Sequence, residues 1–331
     1  MPHDHLLDPI LTNAITYGSI YGIMCVGLTL TYMTTKVPNF AHSNFVVFAI
    51  FTGAAALIFG RISSSYETLP ISFVTGGVVA VLMYLLVLKP LIKRGANIVV
   101  LMIATFAVSI IMDAVVAAVF FTYLQTVYGR FLANQGYYFF SLNQLPDVLP
   151  NGVNNIFGEK PIFLMAPIAL LVVTAALGLL LRTRFGVAMR ASIENPNLAR
   201  VLGINVDRVY LVSWFIAGSL AGVGGTLYSI QAPAVPTTSS NIIVDIFAGV
   251  VLGGIGSIYG GIIGGFIIGF SETYVISQLT NIVDVNFGYA AGSIVTSFQK
   301  GVPLVIMIVA LLVIPKGLTS IDWRRLLRRL R

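Results

Sequence analysis

Charge is what this sequence has least of. Asp, Glu, Lys and Arg make up 9% of its 331 residues, 57% are hydrophobic, and the mean hydropathy is +0.93. A soluble domain carries about a quarter of its residues charged. So few charges cannot cover a water-facing surface, which excludes a water-soluble globular domain and makes lipid the expected solvent. Cysteine is nearly absent. Cys25 alone rules out an intrachain disulfide and a cysteine-rich metal site, and inside an apolar run it reads as a small packing residue. There is no GxxxxGK(S/T) phosphate loop, no HExxH, no Gly-x-Ser-x-Gly and no zinc spacing. Any ATP that drives this chain must therefore be bound by another polypeptide. The opening MPHDHLLDP lacks the basic stretch of a signal peptide, and His3 and His5 around Asp4 read as a polar terminus rather than a metal site.

What is there is a series of apolar segments, at about 10–33, 39–60, 70–88, 98–123, 161–181, 209–230, 241–255, 257–276 and 300–316. Most approach the ~20 residues a helix needs to cross hydrocarbon. None shows the alternation of a membrane barrel, and helices satisfy their own backbone in lipid. The expected fold is all-α: a polytopic membrane protein of eight or nine transmembrane helices, some short or broken, in one domain over 1–331. Nineteen basic against twelve acidic residues give +7. The basic residues sit beside apolar runs and form no stripe, which points to membrane lipid and not to nucleic acid. Three clusters, Lys89/Lys93/Arg94, the loop 182–208 and the tail 317–331, are expected in the cytoplasm. The N-terminus and the polar stretch 124–160 then lie outside; Lys36 falls inside and Arg61 outside, a contrary sign. Four crossings between Arg208 and Arg324 require a tight turn at Gly256-Ser257. Alternatively 241–255 is re-entrant, and 282–299 helps to restore parity.

Thirty-two glycines thicken at GSLAGVGG (218–225) and GVVLGGIGSIYGGIIGG (249–265). Small residues let membrane helices approach closely. Around Gly249, Gly253, Gly254 and Gly256 their density also suggests a broken helix whose loose backbone lines a cavity. Pro38 and Asn39 interrupt the early segment in the same way, with Asn39 placed to cap a new helix. A short or broken helix after a long one in each half is the mark of two weak internal repeats and a mid-membrane site. Asn39 and His42 would share one face of that helix, with Asn44 two residues on, either as pathway groups or as a cap network. Asp113 is expected mid-span, facing a water-filled path or a packing partner. Asp245 reads as a first-turn acid favoured by a helix N-terminus, and Glu272 as lying near its helix end; no two acids are spaced as a carboxylate pair.

The loop 182–208 carries five arginines between two oily runs. VAMRASIE can form a short helix with Arg190 and Glu194 at i,i+4; Asn195-Pro196 breaks it; NLARVLG forms a second, ending at Gly203, with Leu198, Val201 and Leu202 on one face. Such an element either lies on anionic lipid or inserts into a cytosolic partner.

RTRFG (182–186), RASIEN (190–195) and ARVLGIN (199–205) resemble the coupling loop of the branched-chain amino acid permeases of ABC importers (LivH/LivM-like), the group that also holds urea and simple-sugar permeases. GSIYGIMCVGLTLTY (18–32), VPNFAH (37–42), TFAVS (105–109), VVLGGIGSIYGGIIGG (250–265) and IPKGL (314–318) follow in the family's order. The resemblance implies a permease subunit that moves branched-chain or other small amino acids across the cytoplasmic membrane. It implies two ABC ATPase subunits, one docked on Arg190, Glu194, Asn195, Arg200 and Gly203, a second and related permease, and an external substrate-binding protein. The chain itself would hold no cofactor, ATP being used by the partners. The substrate path would involve Asn39, His42, Asn44, Asp113 and the 249–256 backbone. The chain departs from the family at Asp245, where a Lys is common, at Asp113, where a Gln is common, and at Ile314, where an Arg closes the motif; these departures bear on substrate. A permease for urea or short amides shares the architecture, and an ion-driven secondary carrier is the reading that Asp113 alone would suit.

Overall fold

The computed structural model describes residues 8–60, 62–121, 145–150, 152–156, 158–287 and 289–320. The His3–Asp4–His5 terminus, Arg61, most of the 124–160 stretch and the arginines of the tail lie outside the described residues. Among the described residues every regular element is a helix, apart from one isolated bridge between Ile156 and Glu159. Seven helices are long and apolar enough to cross a membrane: Pro9–Thr35, Ser65–Lys93, Ile98–Val119, Ile162–Arg182, Val206–Gln231, Ile258–Asn286 and Gly301–Ser320. Two shorter apolar ones, His42–Leu57 and Thr238–Gly253, are the segments whose sequence suggested interruption. The protein is a multi-pass, all-α membrane protein.

Helix α1 (Pro9–Thr35) is the axis of the bundle. Asp8 caps it by accepting from the Ile10 N–H at 3.0 Å, and Pro9 stands at its first turn, where a missing N–H is harmless. It is apolar on every side and buried accordingly, packing against α9 (Val206–Gln231) and α11 (Ile258–Phe287). Asn13 bonds Gln231 at 2.7 Å, Met24 meets Gly224, and Gly27 meets Ala217, so α1 and α9 run antiparallel. The bundle thus has a Pro9 end, which also holds Gln231, and a Thr35 end, which also holds Val206.

Long helices are followed by short ones in both halves. After α1, Lys36 takes a left-handed conformation (φ 57°) and the chain climbs back to begin α2 (His42–Phe59) level with Met24. After α9, the chain enters α10 (Thr238–Gly253). Because α1 and α9 are antiparallel, the two long–short pairs point opposite ways, as inverted repeats do. Between them lie α3 (Leu69–Met83), a widened π turn at Tyr84–Leu88, α4 (Lys89–Lys93), α5 (Ile98–Val115) and α6 (Ile162–Arg182). Pro90 explains the π turn: it has no N–H to close an ordinary helical bond there. Tyr84 stacks on the buried Trp214 of α9 at this point, with ring centroids 5.4 Å apart.

The glycine-rich stretch is not a broken helix. α10 is regular through Gly253, and the chain then turns at Gly254–Ser257, where the Ser257 N–H donates to the Gly254 carbonyl at 3.0 Å. Gly254 has φ +105°, closed to other residues. A Cβ at Gly253 would strike the backbone of Gly260, and one at Gly249 would come within 2.7 Å of the Cys25 sulfur. The glycines are spent on helix contact, which outweighs their weak helix propensity. The tight turn expected at Gly256-Ser257 is present. The segment 282–299 does not form a span: α11 continues to Phe287, and α12 (Tyr289–Ser297) folds back along it. At nine residues, or about 13 Å, α12 is too short to cross. A turn at 298–300 then starts α13 (Gly301–Val313).

The described part of the polar stretch before α6 is tied to the Pro9 end. The Leu145 N–H donates to Ser229 O at 2.7 Å, Ser64 and Ser65 donate to the carbonyls of Val148 and Pro146, and the Tyr66 hydroxyl donates to Asp147 at 2.6 Å.

Candidate functional site

The first site forms where α2 begins. Asn39 stands before the helix and not on its face: its Oδ1 accepts from the Ala41 N–H at 3.1 Å and its carbonyl from the His42 N–H at 3.3 Å. The shared face expected of Asn39 and His42 is therefore not formed, because the helix starts three residues later. His42 is fully buried. Its Nε2 lies 3.1 Å from the Met24 carbonyl, which can only accept, so Nε2 carries the proton and Nδ1 is left without a partner. Asn44, two residues on, faces the other way. Its amide donates to Asp113 Oδ1 at 2.6 Å and to the Ser109 carbonyl at 3.2 Å.

Asp113 Oδ1 also accepts from the Ser239 hydroxyl of α10 at 2.7 Å. Asp113 lies inside the span Ile98–Val119, as expected, because the helix runs on past α5 through a π turn at Val116–Phe121. Asn44, Asp113 and Ser239 thus tie α2, α5 and α10 together around a cavity of about 180 Å³ that Phe40, Ser43 and Phe106 also line. His42 and Asn39 stand outside that lining, Gly249 and Gly253 are taken up by helix contact, and Gly254 in the turn faces Lys316, Gly317 and Thr319; a Cβ at Gly256 would meet open space. Ser239 is a site residue that sequence reasoning missed, since a serine in an oily helix carries no signal of its own.

A second polar centre lies deeper in the bundle. Asp245 is not a first-turn acid: α10 begins at Thr238, which places Asp245 mid-helix and wholly buried. Glu272 is not near a helix end either, because α11 runs on to Phe287, and it too is buried. Lys300, in the turn before α13, bridges them, with Nζ 2.5 Å from Asp245 Oδ2 and 2.9 Å from Glu272 Oε1. The Tyr21 hydroxyl of α1 donates to the same Asp245 Oδ2 at 2.7 Å. Two acids inside apolar segments demand a cation. Lys300 is the sole Lys or Arg between Arg208 and Lys316, which is the sequence signal for this pairing.

The third centre projects from the Thr35 end. Helices α7 (Arg184–Glu194) and α8 (Pro196–Val201) follow α6 directly. Thr183 caps α7, Asn195 caps α8 with its Oδ1 3.0 Å from the Leu198 N–H, and Pro196 occupies the first turn of α8. Gly203 ends α8 at φ +84°, and the Ile204 N–H returns to the Ala199 carbonyl. Met189 and Ser192 face inward, where Tyr210 of α9 donates to the Ser192 carbonyl at 3.2 Å. Arg190, Glu194, Asn195, Arg200 and Gly203 are all exposed. Among the described residues Arg190 and Glu194 form no ion pair, so the i,i+4 bridge does not hold α7. Leu198, Val201 and Leu202 do share a face, and it is bare: Val201 is 83% exposed and Leu202 70%.

The description "branched-chain amino acid transport system / permease component" matches residues 10–311, nearly the whole chain. The probable branched-chain amino acid transport permease protein LivH of Methanocaldococcus jannaschii is 38% identical over 97% of this chain and 95% of its own. The high-affinity branched-chain amino acid transport system permease protein LivH of Escherichia coli is 26% identical over 92% of this chain and 93% of its own. The ribose import permease protein RbsC of Escherichia coli is 26% identical over 78% of this chain and 75% of its own. No solved structure matches. With seven apolar helices in one bundle and a full-length match, the chain belongs to the family of branched-chain amino acid transport permeases.

Proposed function

We propose that this permease is the membrane subunit of an ATP-driven importer for branched-chain or other small amino acids. One observation carries the reading beyond the family: a membrane bundle that holds two capped helices off one end, with a bare apolar ridge and the exposed arginines 182, 184, 190 and 200. Apolar side chains as exposed as Val201 and Leu202 are covered by something in use. Lipid alone would suit an amphipathic helix lying along the surface. Here α7 packs against α6 and α9, which hold spans, so a push on α7–α8 is delivered to them. The occupant is an ATPase subunit, one of two, with a related permease beside this chain and a substrate-binding protein at the Pro9 end. That end lies outside and the Thr35 end in the cytoplasm, following the basic residues at 89–94 and 182–208.

In the mechanism, ATP-driven closure of the partners moves α7–α8, and the spans rock between outward-open and inward-open states. Asn44, Asp113 and Ser239 present hydrogen-bonding groups toward a substrate path between α2, α5 and α10. Asn39 and His42 hold the start of α2 in place, and the 249–256 glycines let α10 and α11 slide at close contact. A pull-down of the tagged chain from its native membrane in mild detergent tests the reading. ATPase subunits should co-purify and be lost when 190–203 is scrambled in a protein that still folds. A chain that purifies alone, and transports in vesicles without ATP, would overturn it.

A further inference from the structure

Three cations at the Thr35 end converge on one cleft. Lys93 closes α4, Arg200 lies in the last turn of α8 and Arg208 in the first turn of α9, and all three are exposed. Together with the turn 203–207 and Leu211 they line a space of about 690 Å³. Asp207 is the one acid among the lining residues, and it is already engaged: Lys89, which stands outside the lining, holds its Oδ2 at 2.8 Å. Arg200 donates to the neutral side chain of Asn197 at 3.3 Å, and among the described residues Lys93, Arg200 and Arg208 form no ion pair. The first turn of α9, the positive end of its dipole, lines the same cleft. Its walls therefore present three positive charges and no free negative one.

The cleft sits where the apolar layer ends. The span Ser65–Lys93 finishes at it and the span Val206–Gln231 starts from it. One face of α9 leads from the cleft into that layer. Leu211 lines the cleft, Val212 lies one turn below Arg208 and is 43% exposed, and Phe215 comes a turn further on. Phe215 meets Phe73 of α3 edge-on, with ring centroids 6.0 Å apart. Arg208 thus heads an apolar strip that an acyl chain must cover in any bilayer, and the cations above the strip select the headgroup that chain carries.

The alternatives fit one part only. A carboxylate of a docked protein, or a soluble phosphate, answers the charge and has no use for the strip. A zwitterionic lipid covers the strip and brings its own cation to a cationic cleft. We infer that this cleft binds one phospholipid through an anionic phosphodiester headgroup, held between Lys93, Arg200 and Arg208 with an acyl chain along Val212 and Phe215. Since Lys93 ends a span and Arg200 belongs to α8, the same headgroup tethers the projecting helix to the bundle. The site requires neither an ATPase nor a transported substrate.

Native mass spectrometry of the purified full chain in mild detergent tests it, with phosphatidylglycerol, phosphatidylcholine of the same chain length and glycerol 3-phosphate as probes. One phosphatidylglycerol should bind about tenfold or more tighter than phosphatidylcholine, and millimolar glycerol 3-phosphate should not displace it. That comparison uses the unaltered chain. Lys93→Gln and Arg208→Gln should each weaken phosphatidylglycerol by about fivefold, the worth of one basic residue at an anionic lipid surface. Arg184→Gln, at the same end but outside the cleft, should leave the affinity unchanged. Equal affinity for the two lipids would remove the charge selection, and displacement by glycerol 3-phosphate would make this a soluble-phosphate site. An equal loss in Arg184→Gln would reduce the effect to a diffuse attraction, and no retained phosphatidylglycerol would leave the cations to a protein partner. Each of these outcomes overturns the lipid site. The isolated chain carries no ATPase, so failure of the importer reading shows in the pull-down and not here.

Discussion

Lys300 shows what one side chain holds in a bundle of this kind. Removing it leaves two buried carboxylates facing each other with no cation. Breaking a buried pair from one side costs ~3–5 kcal/mol, and because the Lys300 side chain is 39% exposed the lower part of that range is expected. Lys300→Ala should therefore lower the melting temperature clearly, and Lys300→Arg should restore most of it; a melting curve in detergent reads both. Asp113 is a contrasting case. It is partly open, and its partners Asn44 and Ser239 are neutral, so Asp113→Asn keeps the bonding while removing the charge. Stability should hold and uptake should fall; unchanged uptake across the pH range would make Asp113 a packing group. Asp113 and Asn44 could be suspected from sequence because a polar residue in an oily run is conspicuous by itself. The meaning of Asp245 and Glu272 could not be read locally, since their partner lies 55 and 28 residues away and only the folded chain joins them. Asp245 was also misplaced by a helix start set three residues too late, an error that turned a mid-helix charge into an N-terminal one.

At the scale of elements, local chemistry was legible wherever caps set the boundary. Asn195-Pro196 and Gly203 mark the break between α7 and α8 and the end of α8 in the sequence and again in the structure, whereas α7, expected from Val187, starts at Arg184 under the cap of Thr183. The glycine-rich stretch misled for the opposite reason. Propensity sees each glycine as a weakness of about 1 kcal/mol, and only tertiary contact shows Gly253 lying against Gly260. The same logic gives two predictions. A Cβ at Gly218 would collide with the Gly76 carbonyl of α3, so Gly218→Leu should overpack the α3–α9 contact and cost about 1–3 kcal/mol in thermal stability. Gly203 is different, for a Cβ there meets nothing and only its φ of +84° resists. Gly203→Ala should strain the end of α8 by about 1–2 kcal/mol and leave the bundle folded. In the assembled importer ATP hydrolysis should continue while uptake drops; normal uptake would remove Gly203 from the coupling path.

For the whole molecule, the importer mechanism depends on which end faces the cytoplasm. The bundle is self-consistent either way, because antiparallel α1 and α9 and two opposed long–short pairs look alike when inverted. Orientation must come from charge, and the basic residues at 89–94 and 182–208 gather at one end. Val201 at that end is 83% exposed, and Val235, in the connection between α9 and α10 at the other, is 42% exposed. Cys25 is fully buried between α1, α10 and α11, and Cys25→Ala removes its thiol without adding volume. In that background Val201→Cys should react with a membrane-impermeant maleimide only after the cytoplasmic face is opened, and Val235→Cys should react from outside intact cells. The reverse pattern would place α7–α8 outside, where no ATP is available to a partner. Because the two positions are read in one background, a single labelling experiment separates the importer geometry from its inverse.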